Sequence, residues 1–148
     1  MTSFLCVKSQ PKINNSQYLY FELGGVNTIY SINYEKLLND ENHWEPHFHA
    51  GFCFLGLNNM GVNTSFQFVR NNGKKWNWQL GVGAAYNKNR FLQSNVSLQG
   101  LIGKRRKFTN GYLLIAINPS LNYFPYEHYF PLAGQFFFPS IGYGYYIK

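Results

Sequence analysis

Charge is scarce in this sequence, and long apolar stretches are absent. Only 13% of the 148 residues are charged, and six of those are acidic. No stretch approaches the roughly 20 apolar residues that a membrane-spanning helix requires, which excludes a helical inner-membrane protein. The two cysteines, Cys6 and Cys53, are too few for a disulfide framework, and nothing in the sequence supports a bridge between them.

Aromatic residues are abundant instead. Phe, Tyr and Trp make up 20% of the chain, yet the mean hydropathy is -0.29. Residues 136–148 show how the two facts fit together, because bulky residues alternate there with small or polar ones: Ile141, Tyr143, Tyr145 and Ile147 against Ser140, Gly142, Gly144 and Tyr146. A period of two indicates a β-strand with two different faces.

The same alternation recurs along most of the chain. It is present in 17–24, 28–37, 46–56, 60–70, 76–86, 91–103, 112–118 and 136–148. Runs of about ten residues are long enough for a tilted strand to cross a bilayer. We therefore predict an all-β fold, an eight-stranded antiparallel transmembrane β-barrel of up-and-down meander order. Residues 17–148 would form this single domain, and residues 1–16 a residual export leader or a disordered segment.

The polar face of the predicted strands would point into the barrel. Its larger members are Glu22, Asn33, Glu35, His47, His49, Gln67 and Gln79. A barrel of eight strands is filled by its own side chains, so we interpret these residues as a structural hydrogen-bond and ion-pair network in the lumen. The histidines, or an arginine near a strand end, are the candidate partners of the buried glutamates. Passage of protons or ions through the lumen is the alternative interpretation.

His47 and His49 are candidate metal ligands, because their rings project from the same face of one predicted strand. Zinc would need a further ligand, such as Cys53 or one of Glu22 and Glu35. A histidine pair without a second spaced pair is a weak signal. We predict no metal site and no cofactor.

Some residues of the sequence are of types that occur in hydrolase active sites. Ser120, Ser140, Glu127 and His128 would lie near one end of the barrel, but the sequence has no nucleophile-elbow motif. We predict no catalytic residues. A lipid-modifying outer-membrane barrel enzyme, of the lipid A deacylase or acyltransferase type, stays open as an alternative. A soluble β-barrel carrier of a hydrophobic ligand is a further one, although it should show more external charge.

Basic residues give the chain a formal charge of +7. They cluster at Lys74, Lys75, Lys88, Arg90 and in the run 104–107, which we predict to lie between strands, where they could meet lipid phosphates. The aromatic residues alternate on lipid-type faces and do not cluster with the basic ones. We therefore predict no nucleic-acid partner.

The segment 119–134 is the longest connection that the pattern predicts. Because the first and last strands must pair to close the barrel, this connection would lie on the extracellular side, opposite the chain ends. It would carry an aromatic loop, either an interfacial girdle or a partner-binding surface: Tyr123, Phe124, Tyr126, Tyr129 and Phe130.

A family resemblance is carried by five segments in order: YFELGGVNTIYSINYEK, GVNTSFQFV, WQLGVGAAY, LQGLIGKRRKFTNGYLLIAINPSLNY and FPSIGYGYYIK. This set resembles the small outer-membrane β-barrel proteins common in Bacteroidetes, and it covers most of the chain from residue 17 onward. The resemblance implies a bacterial outer-membrane location. The expected function is a structural, adhesion or partner-binding role in the cell envelope, for a monomer in contact with outer-membrane lipid and with a surface protein or glycan as candidate partner.

Overall fold

The computed structural model describes residues 16–24, 30–39, 43–54, 59–89, 94–123 and 132–147. The described residues form eight strands, which are β1 Gln17–Gly24, β2 Tyr30–Leu37, β3 Trp44–Phe54, β4 Asn59–Arg70, β5 Trp76–Asn89, β6 Ser94–Phe108, β7 Gly111–Tyr123 and β8 Leu132–Ile147. No helix among these residues has the length and apolar content needed to span a membrane. Of the segment 1–16, predicted to be a residual leader or a disordered segment, residues 1–15 lie outside the described part of the chain.

The strands form one closed barrel in sequence order. Each strand pairs antiparallel with its neighbours in the chain, and β1 pairs antiparallel with β8, from Gln17 opposite Ile147 to Gly24 opposite Ser140. The predicted eight-stranded antiparallel meander barrel is thereby confirmed. β1, β3, β5 and β7 begin, and β2, β4, β6 and β8 end, at one rim, called here the terminal rim; the other ends of the strands lie at the opposite rim.

The alternation of the sequence sets the two faces of the barrel wall. On β3, for example, Phe52 is 63% exposed while its neighbour Cys53 is 1% exposed. The free thiol of Cys53 lies 3.2 Å from Asn87 Oδ1 on β5. Odd and even positions of a strand project to opposite sides, so this contrast repeats around the barrel.

Three predicted positions were wrong. The basic run 104–107 is predicted to lie between strands, but it lies within β6. Lys88, also predicted to lie between strands, lies within β5. The connection predicted over 119–134 is shorter, because β7 continues to Tyr123 and β8 begins at Leu132. Pro119 has no N–H, and the β6–β7 ladder lacks pairs between Gln99↔Ser120 and Ile102↔Ile117, yet pairing resumes beyond the gap and the strand does not end there.

Glycines on β8 make room for the lumen aromatics. A Cβ atom at Gly142 would overlap the ring of Tyr20, and one at Gly144 would overlap the ring of Tyr112. These two tyrosine rings stack with centroids 5.7 Å apart. The glycine alternation at the end of the sequence is therefore explained by packing inside the barrel.

One predicted turn is described in full. The Asn71-Asn72-Gly73 cluster begins the β4–β5 hairpin connection, as expected. Gly73 has φ +69°, a conformation that favours glycine, and the backbone N–H of Lys74 donates to Asn72 Oδ1 at 3.1 Å.

Candidate functional site

The lumen near the terminal rim is centred on Glu35, a carboxylate on β2 that is fully buried. Arg105 Nη1 on β6 lies 2.7 Å from Glu35 Oε1, and His47 Nδ1 on β3 lies 2.6 Å from the same oxygen. His49 Nε2 lies 3.4 Å from the other carboxylate oxygen, to which the Tyr112 hydroxyl also donates a hydrogen bond. Both oxygens of Glu35 are therefore engaged by partners from three other strands.

Arg105 extends this cluster to the opposite wall. Its Nε donates to Gln79 Oε1 at 2.7 Å, and its guanidinium carbon lies 3.6 Å from the centroid of the Tyr112 ring. Gln79 in turn donates to Gln67, whose Nε2 donates to Ser65 Oγ at 3.0 Å. Burying a guanidinium is costly unless it is paired and hydrogen-bonded, and here it has both kinds of partner.

A second ion pair lies at the terminal rim. Lys107 Nζ lies 2.7 Å from Glu45 Oε2, and Asn71 Nδ2 donates to Glu45 Oε1 at 2.6 Å. His47 Nε2 is 3.7 Å from Glu45, so this histidine lies between the two carboxylates of the network. The rim pair is partly open to solvent, because the Lys107 side chain is 39% exposed.

Toward the opposite rim the lumen is polar but holds no cation among the contacts that the structure describes. The hydroxyls of Ser31 and Ser140 hydrogen-bond to the Glu22 carboxylate. Asn33 Nδ2 donates to Ser31 Oγ and Asn118 Nδ2 donates to Ser140 Oγ, each at 2.8 Å. Glu22 is thus held by hydroxyl groups, in contrast to Glu35.

A cavity of about 40 Å³ lies between these two clusters. Glu22, Tyr20, His49 and Gln67 are among the residues that line it, together with glycines of β5. A polar cavity of this size suits a small number of water molecules.

The structure places every residue predicted for the lumen on the inner face. Five of them belong to the Glu35–Arg105 cluster or contact it directly: Glu35, His47, His49, Gln67 and Gln79. The other two, Glu22 and Asn33, belong to the hydroxyl-bonded cluster. The described residues contain no group of three or more His, Cys, Asp or Glu side chains that could hold a metal ion.

The sequence indicates histidines or an arginine near a strand end as partners of the buried glutamates, and both kinds of residue contact Glu35, but sequence reasoning did not identify Arg105 as that arginine. The basic run was predicted as a turn, although the alternation of Val96, Leu98 and Ile102 already sets the parity of β6. Continuing that alternation by three residues places Arg105 in the lumen, where it is 1% exposed. The signal was present, but charge was interpreted as the end of the strand.

The other candidate residues are only partly described. Of the predicted aromatic loop, Tyr123 is the last residue of β7, and Phe124, Tyr126, Tyr129 and Phe130 lie outside the described residues. Ser120 and Ser140 face the lumen and are buried. Glu127 and His128 also lie outside the described residues, so the predicted group of Ser120, Ser140, Glu127 and His128 is only partly described.

The connected cluster is suited to holding the barrel walls together. Every described carboxylate in it accepts several hydrogen bonds, and the opposite charges of Glu35 and Arg105 neutralise each other.

Comparisons of this chain with protein-family models, with curated proteins and with solved structures found no match.

Proposed function

We propose that this protein is a membrane-spanning β-barrel of the bacterial outer membrane with a filled lumen. Its role is structural or partner-binding, and the connections at the rim opposite the chain ends are the parts available to a surface protein or glycan. The single observation that carries the proposal is the inverted polarity of the barrel, which is apolar outside and polar inside.

The outer surface supports this proposal by its size and its composition. Apolar side chains with at least 40% exposure lie on every strand, among them Leu23, Tyr30, Phe52, Phe66, Leu80, Val82, Ile102, Ile115, Ile117 and Ile141. Soluble monomers rarely expose an apolar patch beyond a few hundred Å². Lipid hydrocarbon is the medium that stabilises a closed band of this kind.

Aromatic residues at both ends of the band add to the argument. Trp44, Trp76 and Trp78 lie on the outside near the terminal rim, and Tyr30 and Tyr86 near the other. Aromatic girdles of this kind are typical of the two interfaces of membrane barrels.

The contents of the lumen favour a structural barrel over a pore or a carrier. The Glu35–Arg105 cluster joins six strands across the lumen near the terminal rim. The cavity of about 40 Å³ is far below the roughly 300 Å³ of small-molecule pockets, and polar side chains line much of it. No described contact favours the enzyme alternative.

Folding assays test membrane insertion directly. The protein refolded in detergent or lipid vesicles should run as a compact band on an unheated gel and shift after boiling. The same samples in planar bilayers should show no steady open channel. A monodisperse monomer in buffer without detergent would contradict the proposal.

Surface labelling tests the orientation of the barrel. An epitope inserted between residues 126 and 127, in the β7–β8 connection, should be detected by antibody on intact cells. The matched control inserts the same epitope after Gly73, at the terminal rim, and should be detected only after the outer membrane is opened. The reverse pattern would contradict the orientation, while the heat-shifted mobility reports folding of both variants.

A further inference from the structure

The four basic residues of the run 104–107 alternate between the two faces of β6. Arg105 and Lys107 pair with the lumen carboxylates of Glu35 and Glu45. Lys104 and Arg106 are exposed on the outer face. Two of the four cations are therefore neutralised within the protein, and two are directed to the surroundings.

The outward cations lie on aromatic rings. Lys104 is the cross-strand partner of Trp78, and its Nζ lies 4.9 Å from the centroid of that ring. Arg106 is the cross-strand partner of Trp76, and its guanidinium carbon lies 6.0 Å from the Trp76 ring and 5.3 Å from the Phe108 ring. Contact with a ring face positions a cation but leaves its N–H groups free to donate to an anion.

The protein supplies no anion of its own at this place among the residues described. The described acidic side chains all lie in the lumen: Glu22, Glu35 and Glu45. No described carboxylate contacts Lys104 or Arg106. The outer wall of β5 and β6 at the terminal rim is therefore positively charged, and Lys74 and Lys75 in the adjoining turn add to that charge.

The depth of the cations matches that of lipid phosphate groups. Moving from the rim along β6, Arg106 and Lys104 are followed by Ile102 on the same face, and Ile102 pairs with Leu80 in the apolar band. Alternate residues of a strand are about 6.5 to 7 Å apart, so the charge begins one residue step beyond the band. Anionic head groups attract basic side chains at this interface.

We propose that this surface is a binding site for the phosphate group of an anionic glycerophospholipid in the leaflet at the terminal rim. We name it the basic–aromatic site and define it by Lys104, Arg106, Trp76, Trp78 and Phe108. The phosphate accepts hydrogen bonds from the two cations, and the acyl chains lie over Leu80, Ile102 and Ile115. A zwitterionic lipid is disfavoured because its own cation would meet the unpaired charge. The inference rests on the proposed membrane location.

Tryptophan fluorescence provides the test, because the chain has three tryptophans and two of them belong to the site. Trp44→Phe leaves only Trp76 and Trp78 as reporters. This variant is refolded in phosphatidylcholine vesicles that contain a small, equal mole fraction of acyl-brominated phosphatidylglycerol or of acyl-brominated phosphatidylcholine. We expect the anionic lipid to be enriched beside the rings on the order of tenfold, as two basic side chains near a membrane surface would produce, and to quench more strongly.

Three variants in the Trp44→Phe background decide between a site and a general effect of charge. K104Q/R106Q should reduce quenching by the anionic lipid to the level of the zwitterionic one. K104R/R106K, which exchanges the two cations, should keep the preference. K36Q/K88Q removes two outward charges elsewhere on the barrel and should also keep it. The heat-shifted mobility confirms that each variant is folded.

The outcomes separate this inference from the proposed function. Equal quenching by the two lipids, or a preference that K104Q/R106Q keeps or K36Q/K88Q loses, would overturn the site while leaving the membrane location intact. Absence of quenching by both lipids would show that the rings do not face lipid, and the proposed function would fall together with the site.

Discussion

Glu35 and Arg105 are 70 residues apart in sequence and form an ion pair with a distance of 2.7 Å across the barrel interior. The pair joins β2 to β6, two strands that are not neighbours in the sheet. Both side chains are almost fully inaccessible to solvent. It therefore acts as a cross-brace between opposite walls, in addition to the hydrogen bonds between adjacent strands.

The first prediction concerns this pair. Arg105→Met leaves the Glu35 charge buried without its main partner, and Glu35→Gln does the same to Arg105, so each should lower the free energy of unfolding by about 3 to 5 kcal/mol. The double variant should lose less than the sum of the two. Urea titration in lipid vesicles measures all three. Strictly additive losses would show that the two side chains do not interact.

The ion pair between Lys107 and Glu45 at the terminal rim provides a control for these variants. Lys107→Met removes a cation from a pair with the same 2.7 Å distance to its carboxylate, but the lysine is partly exposed. Water screens such a pair, so we expect a loss of about 1 kcal/mol or less. The contrast between Arg105→Met and Lys107→Met isolates the effect of burial.

The second prediction concerns the proposed lipid face. Val82 is 66% exposed near the middle of β5, beside its cross-strand partner Phe66. Val82→Arg should lower the free energy of unfolding in lipid by about 2 to 4 kcal/mol, because a charge would enter hydrocarbon. Lys74→Glu in the exposed β4–β5 turn should leave the free energy of unfolding almost unchanged. An opposite ranking of the two variants would contradict the assigned faces.

The third prediction concerns the packing of Gly142 against Tyr20. Gly142→Ala places a methyl group where the Tyr20 ring lies, and overpacking of this kind destabilises by about 1 to 3 kcal/mol. Tyr20→Leu removes that overlap. We therefore expect the double variant to be more stable than the sum of the single losses predicts, as measured by thermal unfolding in detergent. No recovery in the double variant would mean that the methyl group clashes with backbone instead.

The fourth prediction compares adjacent residues on opposite faces. In a Cys6→Ser background, Cys53 is the remaining thiol and is buried in the lumen. A small apolar maleimide in detergent micelles should label it slowly. A cysteine introduced by Phe52→Cys, with Cys53→Ser, should react on the order of tenfold faster, since labelling of Cys53 requires local opening. Equal rates would show that the wall of β3 is not a stable two-sided strand.

The fold could be predicted from the sequence because it depends on one repeated local rule. Alternation of bulky and polar residues fixes which side chains face outward, and a closed meander is the simplest arrangement that pairs eight such strands. Strand ends were harder to predict. Lys104 and Arg106 look like turn residues, but both lie in the paired part of β6, opposite Trp78 and Trp76.

The site could be predicted only as a set of inward residues. Parity placed Glu35, His47 and His49 on the inner face, and the predicted strand order places β2 opposite β6, but neither gives the level along the barrel at which two side chains meet. That level depends on the register between strands, which brings Arg105 and Tyr112 to Glu35. The division of the lumen into a charged cluster and a hydroxyl-bonded cluster therefore required three-dimensional coordinates.

The pairing of β1 with β8 has a consequence for assembly. The two strands that close the barrel, β1 and β8, are the first and the last of its eight strands along the chain, so each has an unpaired edge until both are present. Within a bilayer every unpaired backbone group costs several kcal/mol, so a partly closed sheet would be strongly disfavoured there. On the proposed membrane location, insertion is then an all-or-none event that requires both β1 and β8. Substitutions in β8 should consequently lower the yield of assembled protein even where the finished barrel tolerates them.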